Sequence, residues 1–130
     1  MIRKIDNIGI SVKDVQRSKE FYSDTLGLKL ARPYKEGDTD LLVQVGDLHL
    51  YIFQTVNTDT RHVNRTANYT QNDIGVDHLS LEVEDVDHFY QQLGAKGVGF
   101  LGEPAENWGL RYVGLMDPDG NIIYFVKRVG

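Results

Sequence analysis

Apolar and polar residues alternate through Ile5-Asp6-Asn7-Ile8-Gly9-Ile10-Ser11-Val12, and again through Val76-Asp77-His78-Leu79-Ser80-Leu81-Glu82-Val83. Alternation with a period of two marks a half-buried strand. Each run leads to an aspartate, Asp14 or Asp85, placed to cap a helix. Asp6, Val12, Asp14 and Val15 recur as Asp77, Val83, Asp85 and Val86 at one constant spacing. A repeat of this kind sets the architecture before any local pattern does. It implies two similar half-size modules, with Asn7 in the first standing where His78 stands in the second.

After Asp14 the spacing predicts a helix over 15–26. Val15, Ser18, Tyr22 and Leu26 lie on one stripe, Phe21 widens it, and Gly27 stops it in the left-handed conformation. Three strands are expected at 28–34, 40–45 and 48–54, with Lys35-Glu36-Gly37-Asp38 and Gly46-Asp47 as the turns. In the last of them His49, Tyr51 and Phe53 point one way and Leu48, Leu50 and Ile52 the other. Residues 55–75 are polar and aperiodic. They read as a connector, long enough to lie across a partner module or to cover a pocket.

The second module repeats the order. His78, Ser80 and Glu82 oppose Leu79, Leu81 and Val83; a helix carries Val86, Phe89, Tyr90 and Leu93 on one stripe and ends at Gly94. Strands are expected at 98–101, 109–116 and 121–127, the last two joined by the turn Asp117-Pro118-Asp119-Gly120. Residues 103–107 read as a loop. The sum is an α+β fold of two tandem βαβββ modules in one domain over 1–130: module 1 at about 1–54, the connector at about 55–75, module 2 at about 76–130. Two such sheets side by side, helices on the outer face, form an open cup-shaped mixed sheet whose free faces line a pocket. Parity puts Asn7, His49, Tyr51, Phe53, His78 and Tyr124 on those faces, and Glu82 shares their parity.

Composition narrows the partners. A chain of 130 residues, 41% hydrophobic and 25% charged, is ordinary for a globular protein. A net charge of −5 argues against a nucleic-acid surface and permits a cationic ligand. The absence of cysteine excludes disulfides and thiolate chemistry. No apolar run approaches the ~18 residues of a membrane span, and residues 1–15 lack the apolar core of a signal peptide, so a cytoplasmic location is expected. The sequons at Asn64 and Asn68 then read as accidents of a polar loop. No serine has a His–Asp partner pattern, and no Gly-rich stretch precedes a helix.

Candidate chemistry gathers around aromatic residues. Trp108, the one tryptophan, follows Glu103-Pro104-Ala105-Glu106-Asn107 and can either stack on a flat ligand or plug the sheet edge. Tyr51, Phe53 and Tyr124 give the proposed pocket apolar area with hydroxyl handles, the usual make-up of a small-molecule site. Arg111 can bind an anionic group or pair with Glu106. Arg61, His62 and Arg65 form a small basic cluster in the connector, and His88 lies on the polar side of the second helix.

The stretches Ile5–Ile10, Ser18-Lys19-Glu20-Phe21-Tyr22, Leu26-Gly27-Leu28, Gly75–Ser80, Trp108-Gly109-Leu110-Arg111 and Asp117-Pro118-Asp119-Gly120-Asn121 through Tyr124-Phe125-Val126 resemble the vicinal oxygen chelate superfamily. Its members include glyoxalase I, extradiol dioxygenases, fosfomycin-resistance enzymes and bleomycin-resistance proteins, and the Trp-Gly-x-Arg stretch is nearest in pattern to the bleomycin-resistance type. The resemblance implies a divalent metal at four pocket positions, which here are Asn7, Tyr51, His78 and Tyr124. Only His78 matches the usual His, Glu or Gln, and a tyrosine must lose its proton to ligate. The expectation is therefore a metal-free protein, without cofactor, that binds an aromatic or planar small molecule, an antibiotic among the candidates. Asn7, His49, Tyr51, Phe53, His78, Trp108, Arg111 and Tyr124 would touch the ligand. The resemblance implies a homodimer. The alternative is a lyase, isomerase or dioxygenase using one divalent metal near His78 and His49, with the metal as Lewis acid; a metal-free enzyme moving a proton through Tyr51 or Tyr124 is a third. These residues leave open whether the chain is an enzyme.

Overall fold

A computed structural model of the chain describes residues 1–58 and 65–130; Arg61 and His62 of the expected basic cluster lie outside the described residues. The chain divides into two compact units, Met1–Asp59 and Thr60–Gly130. The first holds β1 (Asn7–Val12), α1 (Val15–Lys19) running on as a π-helix over Glu20–Thr25, then β2 (Lys29–Leu30), β3 (Asp40–Val45) and β4 (Leu48–Gln54). The second holds a 3₁₀ turn at Tyr69–Gln71, then β5 (His78–Glu82), α2 (Val86–Ala95), β6 (Ala105–Asn107), β7 (Leu110–Met116) and β8 (Ile122–Arg128). This is an α+β fold of two tandem βαβββ modules, each a four-stranded mixed sheet in the order β1-β4-β3-β2 or β5-β8-β7-β6. In each, the first strand runs parallel to the last and the remaining pairs are antiparallel.

The register carries the repeat into three dimensions. Gly9 stands opposite Tyr51 and Ser80 opposite Tyr124, so the two tyrosines hold equivalent places; His49, opposite Asn7, corresponds to Ile122, opposite His78. Both helices start as the aspartates require: Asp14 accepts from the Gln16 N–H at 3.0 Å and Asp85 from the His88 N–H at 3.0 Å. Val15, Ser18, Tyr22 and Leu26 are buried, as their spacing demands. Three of these positions are spaced by four, more than one α-helical turn, and the wider π turn over Glu20–Thr25 keeps them on one face. Leu41, Val43, Leu50 and Ile52 complete the first core; Val86, Leu93, Val113, Leu115, Ile123 and Phe125 build the second.

Four expectations are corrected. The strand expected over 28–34 is confined to Lys29–Leu30: after the Ala31 N–H bonds the Leu42 carbonyl at 2.8 Å, Pro33 has no N–H to extend the ladder. Helix α2 passes through Gly94 and ends at Ala95; the stop is Gly97, whose φ of 87° is the left-handed turn an exit needs. Residues 98–101 contribute only a bridge between Phe100 and Leu115. The edge strand comes instead from Ala105–Asn107, within the stretch read as a loop. Asn107 pairs with Leu110 across a two-residue turn in which Trp108 and Gly109 both have positive φ, 52° and 72°. Positive φ at both positions is the type I′ hairpin, which favours Asn-Gly, and Trp in the first place hides the turn from sequence reading.

Among the described residues no helix is long and apolar enough to cross a membrane.

Candidate functional site

Within the second unit a cavity of about 470 Å³ opens on one face of the sheet. The pleat explains which side chains reach it. Phe125 packs on Phe89 of α2 with ring centroids 5.4 Å apart, so its neighbours Tyr124 and Val126 point to the other face, into the cavity. By the same alternation β5 supplies His78 and Ser80, and β7 supplies Leu110, Tyr112 and Gly114. Ala67 and Tyr69 come from the connector, Leu101, Gly102 and Glu103 from the segment before β6, and Trp108 from the hairpin tip.

Five rings follow one another around this space. Tyr69 meets Trp108 at 6.2 Å, Trp108 meets Tyr112 at 6.2 Å, Tyr112 meets Tyr124 at 6.0 Å, and Tyr124 meets His78 at 4.8 Å, edge to face. Gly114, directly opposite Tyr124, makes room for its ring: a Cβ there would come within 2.9 Å of Tyr124 Cε1.

Behind the rings sits a polar relay. His78 Nδ1 lies 2.8 Å from Asp77 Oδ2, and Asn72 Nδ2 donates to Asp77 Oδ1 at 2.8 Å. The bonds from His78 and Asn72 hold the Asp77 carboxyl below its usual range. The carboxylate therefore accepts from Nδ1–H, fixes the imidazole plane and leaves Nε2 without that partner. Burial pushes the Tyr124 phenol up, and the charge of Asp77 pushes it further, so Tyr124 presents a neutral hydroxyl.

Of the residues singled out from sequence, His78, Trp108 and Tyr124 come together at this cavity. Arg111 does not. It sits between Leu110 and Tyr112, faces the α2 side, and makes a bidentate pair with Asp87 at 2.9 and 2.7 Å, with Glu106 at 4.0 Å. Strand parity sets it on the face opposite the cavity lining.

Asn7, His49, Tyr51 and Phe53 share one face of the first sheet. Tyr51 stacks on Phe53 at 5.5 Å and its hydroxyl donates to Asp40 at 2.9 Å, a bond that raises the phenol's pKa; Asp40 in turn pairs with Arg32 at 2.6 Å. Asn7 Nδ2 donates to Asp6 at 2.9 Å. Glu82, although it shares parity with His78, does not line the cavity. Arg65 donates to the Asp73 carbonyl at 2.6 Å, and His88 is exposed on α2. Among the described residues of either unit, no three His, Asp or Glu side chains gather so that they could hold a metal ion.

Sequence reasoning missed Tyr112, Tyr69, Ser80 and Glu103 as lining residues. Tyr112 and Ser80 were within reach, since they share parity with Tyr124 and His78 in adjacent strands. Tyr69 had no signal, because nothing in an aperiodic connector says where a side chain will point.

Residues 4–125 match the family described as Glyoxalase/Bleomycin resistance protein/Dioxygenase superfamily. Among curated relatives, protein YetH of Bacillus subtilis (strain 168) is 25% identical over 127 residues, 94% of this chain and 96% of its own. Protein YraH of the same organism is 29% identical over 130 residues, 97% of this chain and 99% of its own. Among solved structures, TnmS3, an antibiotic binding protein from Streptomyces sp. CB03234, is similar with a TM-score of 0.73 and 25% identity, covering 98% of this chain and 97% of that one.

Proposed function

The chain belongs to the glyoxalase/bleomycin resistance protein/dioxygenase superfamily, and on that premise we propose that it is a small-molecule binding protein whose second unit takes a flat aromatic ligand without a resident metal. The observation that carries this reading is the unbroken run of ring contacts from Tyr69 to His78 around about 470 Å³ of space. That volume lies within the ~300–1,000 Å³ usual for small-molecule pockets. Each offset or edge-on ring pair a ligand forms adds about 0.5–1.5 kcal/mol beyond the area it buries. A planar molecule touching three of these rings thus gains several kcal/mol with no group to react. An antibiotic is one such molecule, and the similarity to TnmS3 supports it as a ligand class. A homodimer, implied by the family resemblance, and a cytoplasmic location complete the proposal.

The chemistry of the donors supports the metal-free part. The positions the family uses for its divalent ion hold Asn7, Tyr51, His78 and Tyr124. A phenol must ionise to bind a metal well, and both phenols are shifted away from ionisation, Tyr51 first by its bond to Asp40 and Tyr124 first by burial. An amide, one imidazole and two neutral phenols bring no fixed negative charge to a divalent cation, so this donor set does not fit one.

Because Trp108 is unique and lies at the cavity, its fluorescence reads binding directly. Saturable quenching by members of a planar aromatic library, weakened roughly tenfold in Tyr124→Ala, is the expected result. A library that leaves Trp108 fluorescence unchanged would sink the reading. Stoichiometric divalent metal in purified protein, lost in His78→Ala, would overturn the metal-free part.

A further inference from the structure

We propose that the cavity selects positively charged ligands, namely planar aromatic cations, laid against the tyrosine and tryptophan rings with Glu103 as counter-charge. The inference rests on the binding reading above and adds the sign of the ligand's charge. Ring faces attract cations through their quadrupole, by about 0.5–2 kcal/mol per contact depending on desolvation. Trp108, the best ring for this, and three tyrosines surround the space.

The charge inventory points the same way. Among the described residues Glu103 is the one carboxylate in the lining, no lysine or arginine joins it there, and Glu103 has no ion-pair partner. Two of the basic residues on the two long strands, Arg111 and Lys127, are turned to the other face. Arg111 is held by Asp87, and Lys127 donates to the Glu84 carbonyl at 2.6 Å. Arg128 shares the face of Tyr124 and Val126 and stands opposite Leu110, but at the end of β8 it is not among the lining residues, and Arg65 is bonded to the Asp73 carbonyl. A second carboxylate, Asp77, stands directly behind His78, and its charge acts on the Tyr124 hydroxyl. The whole chain carries −5, which adds a long-range attraction for cations at low salt. An anion in this space would meet ring faces and the Glu103 carboxylate, with no lysine or arginine among the described lining residues.

A matched trio tests this at neutral pH: N-methylquinolinium, neutral 2-methylnaphthalene and anionic 2-naphthoate, titrated by calorimetry and by Trp108 fluorescence. The cation should bind roughly tenfold tighter than the neutral ring, with the anion weakest. Raising the salt should narrow the gap. In Glu103→Gln the ratio of cation to neutral affinity should fall roughly fivefold. Glu20→Gln, which removes the same charge from the first unit's helix, should leave the ratio as it was. If the neutral or anionic probe binds as tightly as the cation, charge selection is overturned while the binding reading stands. An unchanged ratio in Glu103→Gln removes Glu103 as the counter-charge and overturns the proposal as stated. If none of the three binds, both readings fall together.

Discussion

Trp108 holds a backbone conformation, φ 52°, that bulky L residues avoid at a cost of about 1–2 kcal/mol, and it does so 66% exposed. Its contacts with Tyr69 and Tyr112, both at 6.2 Å, return about 0.5–1.5 kcal/mol each when well packed and less when half in water. The two effects nearly cancel. Trp108→Asn creates the favoured Asn-Gly turn, and its urea midpoint should shift by less than the equivalent of about 1 kcal/mol. Ligand affinity by calorimetry should nonetheless drop roughly tenfold. A stability loss well above 2 kcal/mol would make Trp108 a structural plug. Asp77 gives a pH test. Its folded pKa lies below the ordinary 3.8, so its contribution is whole above 3.8 and disappears as pH falls through the lower folded value. Unfolding free energies of wild type and Asp77→Asn should therefore converge as pH falls below about 4; curves that stay parallel would show that the bonds to His78 and Asn72 are not felt by folding.

At the scale of the element, the two helix exits separate what a glycine's presence says from what its position says. Gly27 was placed correctly as a stop and has φ 80°. Gly94 looked like its counterpart but lies within α2, and Gly97 has the left-handed φ. An added Cβ meets nothing within 4 Å at either Gly94 or Gly97, so only the backbone decides the outcome. Gly94→Ala should stabilise by about 0.5–1 kcal/mol through helix propensity. Gly97→Ala should destabilise by about 1–2 kcal/mol. Thermal melts of the two variants should move in opposite directions, and movement in the same direction would refute this account of the exit. The same scale shows where sequence reading ends. Strands β3 and β4 were legible to the residue because alternation and flanking turns agreed. Strand β6 was not, since Ala105-Glu106-Asn107 has no β pattern and exists because it borrows hydrogen bonds from β7.

At the scale of the molecule, the repeat has diverged on its open faces. Tyr51 and Tyr124 hold equivalent places, but Asp40, opposite Phe53, corresponds to Tyr112, opposite Val126. The first unit thus ties its tyrosine into a Tyr51–Asp40–Arg32 chain, while the second surrounds its own with rings. Tyr51→Phe removes the hydrogen bond to Asp40 and should lower the urea midpoint measurably. Tyr124→Phe, which removes a hydroxyl with no hydrogen bond among the described residues, should change stability by less than about 0.5 kcal/mol. Equal losses in the two variants would mean that the modules still use this tyrosine alike.

The order of apolar and polar residues was enough, taken alone, to determine a duplicated βαβββ chain, its capped helices and the parity of His78 and Tyr124, because these depend on local periods of two and of about four. It also excluded thiol chemistry outright. Which side chains would close a cavity was decided only by tertiary structure. Tyr69 reaches it from an aperiodic connector, Tyr112 through the register of β7 on β8, and Trp108 through a turn its residue type argues against. Arg111 lies away from the lining for the same reason: one step along a pleated strand moves a side chain to the opposite face, and long-range pairing determines which neighbours each face will meet.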